Sequence, residues 1–128
     1  MTDPTPLDTV KRSLRFWAAV RIGYGVVAIA APRLMFKLLR AEPHPDSRGF
    51  NAFLGSRDIV VGIASLRASD RREVLDAAKV NHANEMIDSI VLAQELRAGR
   101  RADLFTIVGI AFNALGHATW IRARRLLG

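Results

Sequence analysis

Four long apolar stretches run through the chain, and each is interrupted at helical spacing by polar or small residues. The first covers Leu7 to Ala31 and is most apolar from Phe16 onward. Arg21 sits inside it, with Trp17 four residues before and Tyr24 three after, so a helix presents all three on one face. Pro32 marks a boundary, and 32–40 (PRLMFKLLR) reads as a short interfacial helix, basic on one side and apolar on the other. Pro43 and Pro45 punctuate a loop over 41–46. A second long helix is predicted from Ser47 to Leu66. A third begins after a cap at Ser69 or Asp70, reaches Arg97, and has Gly99 suited to its C-terminal cap. The fourth runs from Ala102 to Arg124. Its span Leu104–Ile121 is uncharged unless His117 is protonated, and at 1.5 Å per residue it measures about 27 Å, close to the roughly 30 Å of a bilayer core. Residues 1–6 read as a loose polar tail. Alternating runs bounded by hairpin turns are missing, as are short repeats. The pattern therefore predicts an all-α single domain over residues 1–128: a four-helix antiparallel bundle with short connections.

The polar interruptions fall in stripes. In the second helix Asn51, Gly55, Asp58 and Gly62 share a face, while Arg57 projects about 100° away from Asp58. The third carries Asn81, Asn84, Glu85 and Asp88 in one stripe with His82 at its edge; the fourth carries Thr106, Gly109, Asn113, Gly116, His117 and Trp120. The remaining faces hold Val27, Ile29, Val60, Ile63, Ile87, Val91, Ile107 and Phe112. A water-soluble bundle has apolar residues within and charged ones without; this pattern is the reverse. In hydrocarbon a central charge costs from ~2.5 to over 10 kcal/mol, so such residues face the bundle and pair. The expectation is a multi-pass transmembrane bundle with a polar interior.

Charge and composition sharpen that expectation. The net charge is +7, and half of the residues are hydrophobic. The basic residues cluster between the apolar segments (Lys11, Arg12 and Arg15; Arg67, Arg71 and Arg72; Arg122, Arg124 and Arg125 among them) and do not line one face. A nucleic-acid reader lines a face or stripe; flanking clusters suit lipid headgroups, so the expected partner is the lipid bilayer and not a nucleic acid. Their slight excess beside the N-terminus, the 67–72 loop and the C-terminus predicts that both termini are cytoplasmic in a cell-membrane protein. With no cysteine in the chain, a disulfide framework, a thiolate metal site and a Cys nucleophile are excluded. Lys11, Arg12 and Arg15 ahead of Ala28-Ile29-Ala30 resemble a signal peptide, but Arg21 interrupts the apolar region, so the segment reads as a retained helix.

The candidate chemistry lies in the stripes. Asp58, Glu85 and Asp88 are the acid–base candidates. Trp17, Arg21, Tyr24, Asn51, Arg57, Asn81, Asn84, Asn113, His117 and Trp120 are the candidate ligand-binding residues. Three carboxylates against two arginines leave one excess negative charge, which a low-dielectric interior removes by protonating one carboxyl. A neutral acid beside an ionised one is what acid–base catalysis uses. Several readings follow. The polar interior binds a lipophilic small molecule. It is a cofactor-independent acid–base enzyme (isomerase, cyclase or epoxide hydrolase type) acting on an isoprenoid, an epoxide or a quinone-like ring. It is a proton relay. Or it fixes helix register in a structural or partner-binding subunit, alone or in a homo-oligomer. Neither metal nor cofactor is expected: Glu85-x-x-Asp88 is not the Glu-x-x-His of carboxylate-bridged sites, and His44 lies in a loop. Gly23, Gly25, Gly55 and Gly62 read as helix-packing positions, since no strand precedes them. Ser56, Ser65 and Ser89 lack a nucleophile-elbow context. Trp17, Tyr24 and Trp120 also suit interfacial anchoring.

Residues 55–62, GSRDIVVG, form a G-x-R-D-hydrophobic-hydrophobic-x-G helix. Before it come a helix with Arg21, Gly23 and Gly25 and an Ala31-Pro32 pair; after it come a third helix containing Asp88 and an Arg97-Ala98-Gly99-Arg100 turn. In this order the chain resembles short four-helix membrane proteins akin to the DoxX-like group, over about residues 14–122. The resemblance implies membrane location and four helices, and no particular reaction. The run Asn81-His82-Ala83-Asn84-Glu85 is more polar than such a family leads one to expect.

Overall fold

The computed structural model describes residues 2–38, 47–98 and 104–128; the side chain of Asn51 is among a few that fall outside this description. The described residues form helices and no strands: α1 (Pro6–Ala30), α2 (Pro32–Leu38), α3 (Ser47–Arg67), α4 (Arg71–Arg97) and α5 (Leu104–Leu127). The expected all-α class and four long helices are present, with α2 as the expected short helix after Pro32. His44 and Gly99 lie outside the described residues.

Local chemistry fixes the helix starts. Thr5 caps α1 in a capping box with Asp8, and Pro6 opens the helix, where its missing N–H costs nothing. Asp70, not Ser69, caps α4: its carboxylate accepts from the Glu73 N–H at 2.9 Å, while Glu73 Oε2 accepts from Ser69 N and Oγ at 2.9 and 2.8 Å. At this same end, Arg71 donates to the Leu127 carbonyl at 3.1 Å, tying the start of α4 to the end of α5.

The long helices alternate in direction. α1 and α3 pack most intimately, antiparallel, because small residues let their backbones touch. A Cβ on Gly25 would collide with the Gly55 carbonyl, and one on Gly62 would meet Ile22 at 2.6 Å and the Ala18 carbonyl at 3.1 Å. Gly23 departs from the packing role expected of it: a Cβ there meets nothing within 4 Å. α4 and α5 form a second antiparallel pair, with Gly116 seated on Glu85, where an added Cβ would lie 2.5 Å from the carboxyl carbon. Between the two pairs the packing is slighter.

An apolar cluster closes one end of the bundle: Val10, Leu14 and Trp17 from α1, Val74 and Ala78 from α4, and Trp120, Ala123 and Leu127 from α5. Trp120 is fully enclosed and Trp17 nearly so, which removes both from an interfacial-anchor role. Beyond this cluster the centre turns polar and the outside turns apolar. Ile29, Phe53, Val60, Ile63, Ile87, Ile90, Ile107, Phe112 and Leu115 are all exposed, while Arg21, Asp58, Ser65, Asn81, Asn84 and Glu85 are buried.

A candidate functional site at the charged centre

Arg21 stands at the middle of α1, on the face turned to the other long helices, and each of its three guanidinium nitrogens donates. Nε donates to Asn81 Oδ1 at 2.9 Å, Nη1 to Asp58 Oδ1 at 2.8 Å and Nη2 to Glu85 Oε1 at 2.9 Å. One side chain thus joins α1, α3 and α4. The planar fork of arginine matches several carboxylate and amide oxygens at once, which a lysine ammonium does not. Asn81 is fixed in turn, its amide nitrogen donating to Ser65 Oγ and to the Ala77 carbonyl, both at 2.9 Å.

Arg57 forms the outer layer. Its two terminal nitrogens straddle Asp88, at 3.0 Å to Oδ1 and 3.3 Å to Oδ2, and Nη2 also reaches Asp58 Oδ1 at 3.2 Å. The 100° offset between Arg57 and Asp58 does not separate them, because a long guanidinium arm folds back over it. The side chains of Arg21, Glu85 and Asp58 are 6–10 % exposed, against 20 % for Arg57 and 31 % for Asp88, so the centre has a closed inner side and an open edge between α3 and α4.

A directed chain of hydrogen bonds leads to Glu85 from α5. Asn113 Nδ2 donates to Glu85 Oε2 at 3.1 Å and to the Glu85 carbonyl at 2.9 Å. Ser89 has one hydrogen; Asn113 Oδ1 and the Glu85 carbonyl, at 2.8 and 2.9 Å, only accept. His117 Nε2, 2.8 Å from Ser89 Oγ, is therefore the donor there. Beyond it, the ring of His82 stands edge-on to His117 at 5.4 Å, and its Nδ1 accepts from Arg124 at 3.2 Å. Arginine has no acceptor, so His82 is neutral with its hydrogen on Nε2.

The centre thus unites Arg21, Arg57, Asp58, Asn81, Glu85, Asp88 and Asn113, with His117 joined through Ser89. Tyr24 is half-buried beside it. Trp17 and Trp120 lie apart in the apolar cluster, where Trp17 Nε1 donates to Thr119 Oγ1 at 3.2 Å. Asn84 is buried but turns its amide back to the Val80 carbonyl at 3.1 Å. The sequence pattern sets Ser65 and Ser89 aside as nucleophiles and reads Arg124 as a basic flank, and it gives none of them a part in the centre; helix serines carry no signal that separates a cross-helix bond from a bond to their own backbone. Among the described residues no three or more His, Asp or Glu side chains are grouped to hold a metal ion. A notch between α1 and α5, lined by Thr9, Ser13, Thr119 and Arg122, is separate; its three hydroxyls donate to helix carbonyls.

The centre has the groups for acid–base chemistry and for holding a polar ligand group in an apolar surrounding. Comparison with family models, curated proteins and solved structures finds no match to this chain.

Proposed function

We propose that the chain is a multi-pass membrane protein, similar in plan to the DoxX-like group, whose charged centre binds a lipophilic small molecule. One observation carries the reading: the distribution of side chains is inverted, with five charged groups gathered inside and large aliphatic side chains outside all four long helices. Water penalises such an outside, and hydrocarbon welcomes it. Among the described residues only α1 is long and apolar enough to cross a membrane by mean hydropathy. That average, however, counts the inward stripe with the outward face. In α3 and α4 the inward residues Arg57, Asp58, Asn81, Asn84, Glu85 and Asp88 lower it, and the exposed Asp76 and Lys79 near the start of α4 lower it further, while Phe53, Val60, Ile63, Ile87 and Ile90 make the outward faces apolar around the middle of both helices.

Alkaline carbonate extraction of membranes tests this reading. The protein is expected to stay in the pellet and to need detergent for release. Appearance in the supernatant would replace the membrane bundle with a basic soluble one.

Acid–base catalysis on the bound molecule is the second reading. It is favoured by the placement of Asp88 at the open edge, one turn from the enclosed Glu85 on the same helix, so that one carboxyl meets a ligand while the other is shielded.

A further inference from the structure

We infer that the ligand's polar group is an uncharged oxygen acceptor, such as a ketone, ester or epoxide oxygen, and that it bonds to Nε of Arg57 between α3 and α4. This rests on the ligand-binding reading above and adds the chemical class and the docking atom.

Three observations converge. First, the buried side-chain nitrogens and oxygens left without a partner among the described residues are both donors, Arg57 Nε and Trp120 Nε1. Trp120 belongs to the closed apolar cluster, so Arg57 Nε is the one in the charged centre. A buried N–H without a partner selects an acceptor, never another donor. Arg21 offers no such opening, because its Nε is held by Asn81.

Second, the charge count decides which acceptor. Among the described residues, Asp58, Glu85 and Asp88 pair with Arg21 and Arg57. A carboxylate or phosphate ligand would add to an existing excess of negative charge in a low-dielectric place. An ammonium brings donors only, and Nε cannot accept from it. A neutral oxygen satisfies both conditions.

Third, the centre is least enclosed at this edge, although Nε itself is covered and is reached when the Arg57 arm shifts. Arg57 and Asp88 are the most exposed members of the centre. Phe53, four residues before Arg57 on the same side of α3, is 69 % exposed and offers an aromatic surface for the apolar body of the ligand.

The test uses the full chain in an uncharged detergent with 15N-labelled arginine. The probes are three twelve-carbon compounds: 2-dodecanone, dodecanoate and dodecylamine. The readout is the arginine Nε–H spectrum. Arg57 is assigned by loss of its signal in Arg57→Lys, or by through-bond correlation to its backbone if that variant does not fold. The ketone is expected to shift the Arg57 Nε–H signal downfield and saturably, leaving that of Arg21 in place, with dodecanoate and dodecylamine moving neither. A larger response to dodecanoate or to dodecylamine overturns the neutral-acceptor inference. Saturable ketone binding that leaves Arg57 unmoved overturns the docking atom while keeping the ligand-binding reading. Absence of saturable binding by all three overturns both.

Discussion

Arg21 concentrates the energetics of the interior in one residue. Its removal strands Glu85 away from water and leaves Asp58 to Arg57 alone. Arg21→Leu is therefore expected to destabilise the fold by ~3–5 kcal/mol, the usual cost of breaking a buried pair. Arg125→Leu, at an exposed position, should change little. Thermal or denaturant unfolding in detergent reads the difference, and equal midpoints for the two variants would show that Arg21 is not held as described. The sequence made these charges legible because Arg21, Asp58, Glu85 and Asp88 recur at helical spacing within apolar runs. It could not reveal who pairs with whom, since that depends on rotamers and on how far each arm reaches. The cross-helix bonds of Ser65 and Ser89 are not legible for a related reason: each also donates to the carbonyl four residues back, at 2.8 and 2.9 Å, as any helical serine does.

Among the elements, the α1–α3 pair depends on the absence of side chains. Gly25→Ala forces a methyl against the Gly55 backbone, where nothing can swing aside, and is expected to lower stability by roughly 1–3 kcal/mol through overpacking. Gly23→Ala two residues earlier meets open space and should gain about 0.5–1 kcal/mol from helix propensity. Opposite signs for these neighbours in unfolding measurements would establish the seam; the same sign would remove it. From the sequence both glycines look alike, since a two-residue step turns a helix by about 200° and only the partner's position tells which of them faces it.

At the start of α4 the Ser69 backbone N–H, then its hydroxyl, then the Asp70 backbone N–H hold the Glu73 carboxylate below its ordinary range. A depressed carboxylate stabilises the fold above its unfolded value, near 4.5, and that contribution is lost as the pH falls through the folded one. Glu73→Gln is thus expected to fray the start of α4 at pH 7 and to match wild type in strong acid, measured by amide exchange over 70–76. A difference that persists in acid would assign the effect to something other than the ionised cap.

For the whole molecule, the two helix pairs meet by apolar packing at one end and by charge at the centre. The α1–α3 pair brings Arg21, Arg57 and Asp58; the α4–α5 pair brings Glu85 and Asp88. If the centre acts on a ligand, Asp88→Asn and Glu85→Gln should retain the wild-type melting temperature and lose turnover or product formation in cells carrying the neighbouring genes. Full output with unchanged melting would take both carboxyls off the catalytic list, and loss of folding in both would return the cluster to a scaffold. The helix boundaries were readable to within three residues, because Thr5, Pro6, Pro32 and Asp70 act locally. The split into two unequal seams was not readable, because it depends on which small residues meet across space.

The division of charge between the pairs also has a consequence for biogenesis. If the chain is a membrane protein as proposed, synthesis from the N-terminus brings α1 and α3 into the bilayer first, with one guanidinium in excess. α4 follows with Glu85 and Asp88 at its middle and further charges toward its ends, Arg71, Arg72, Glu73, Asp76, Lys79 and Arg97 among them, so it is poorly suited to enter lipid alone but drawn to the cation already in place. The order of the helices along the gene is then itself part of the assembly mechanism. A circular permutant that starts at α4 would keep every contact of the finished bundle while presenting its acidic helix to the insertion machinery with no cation to receive it.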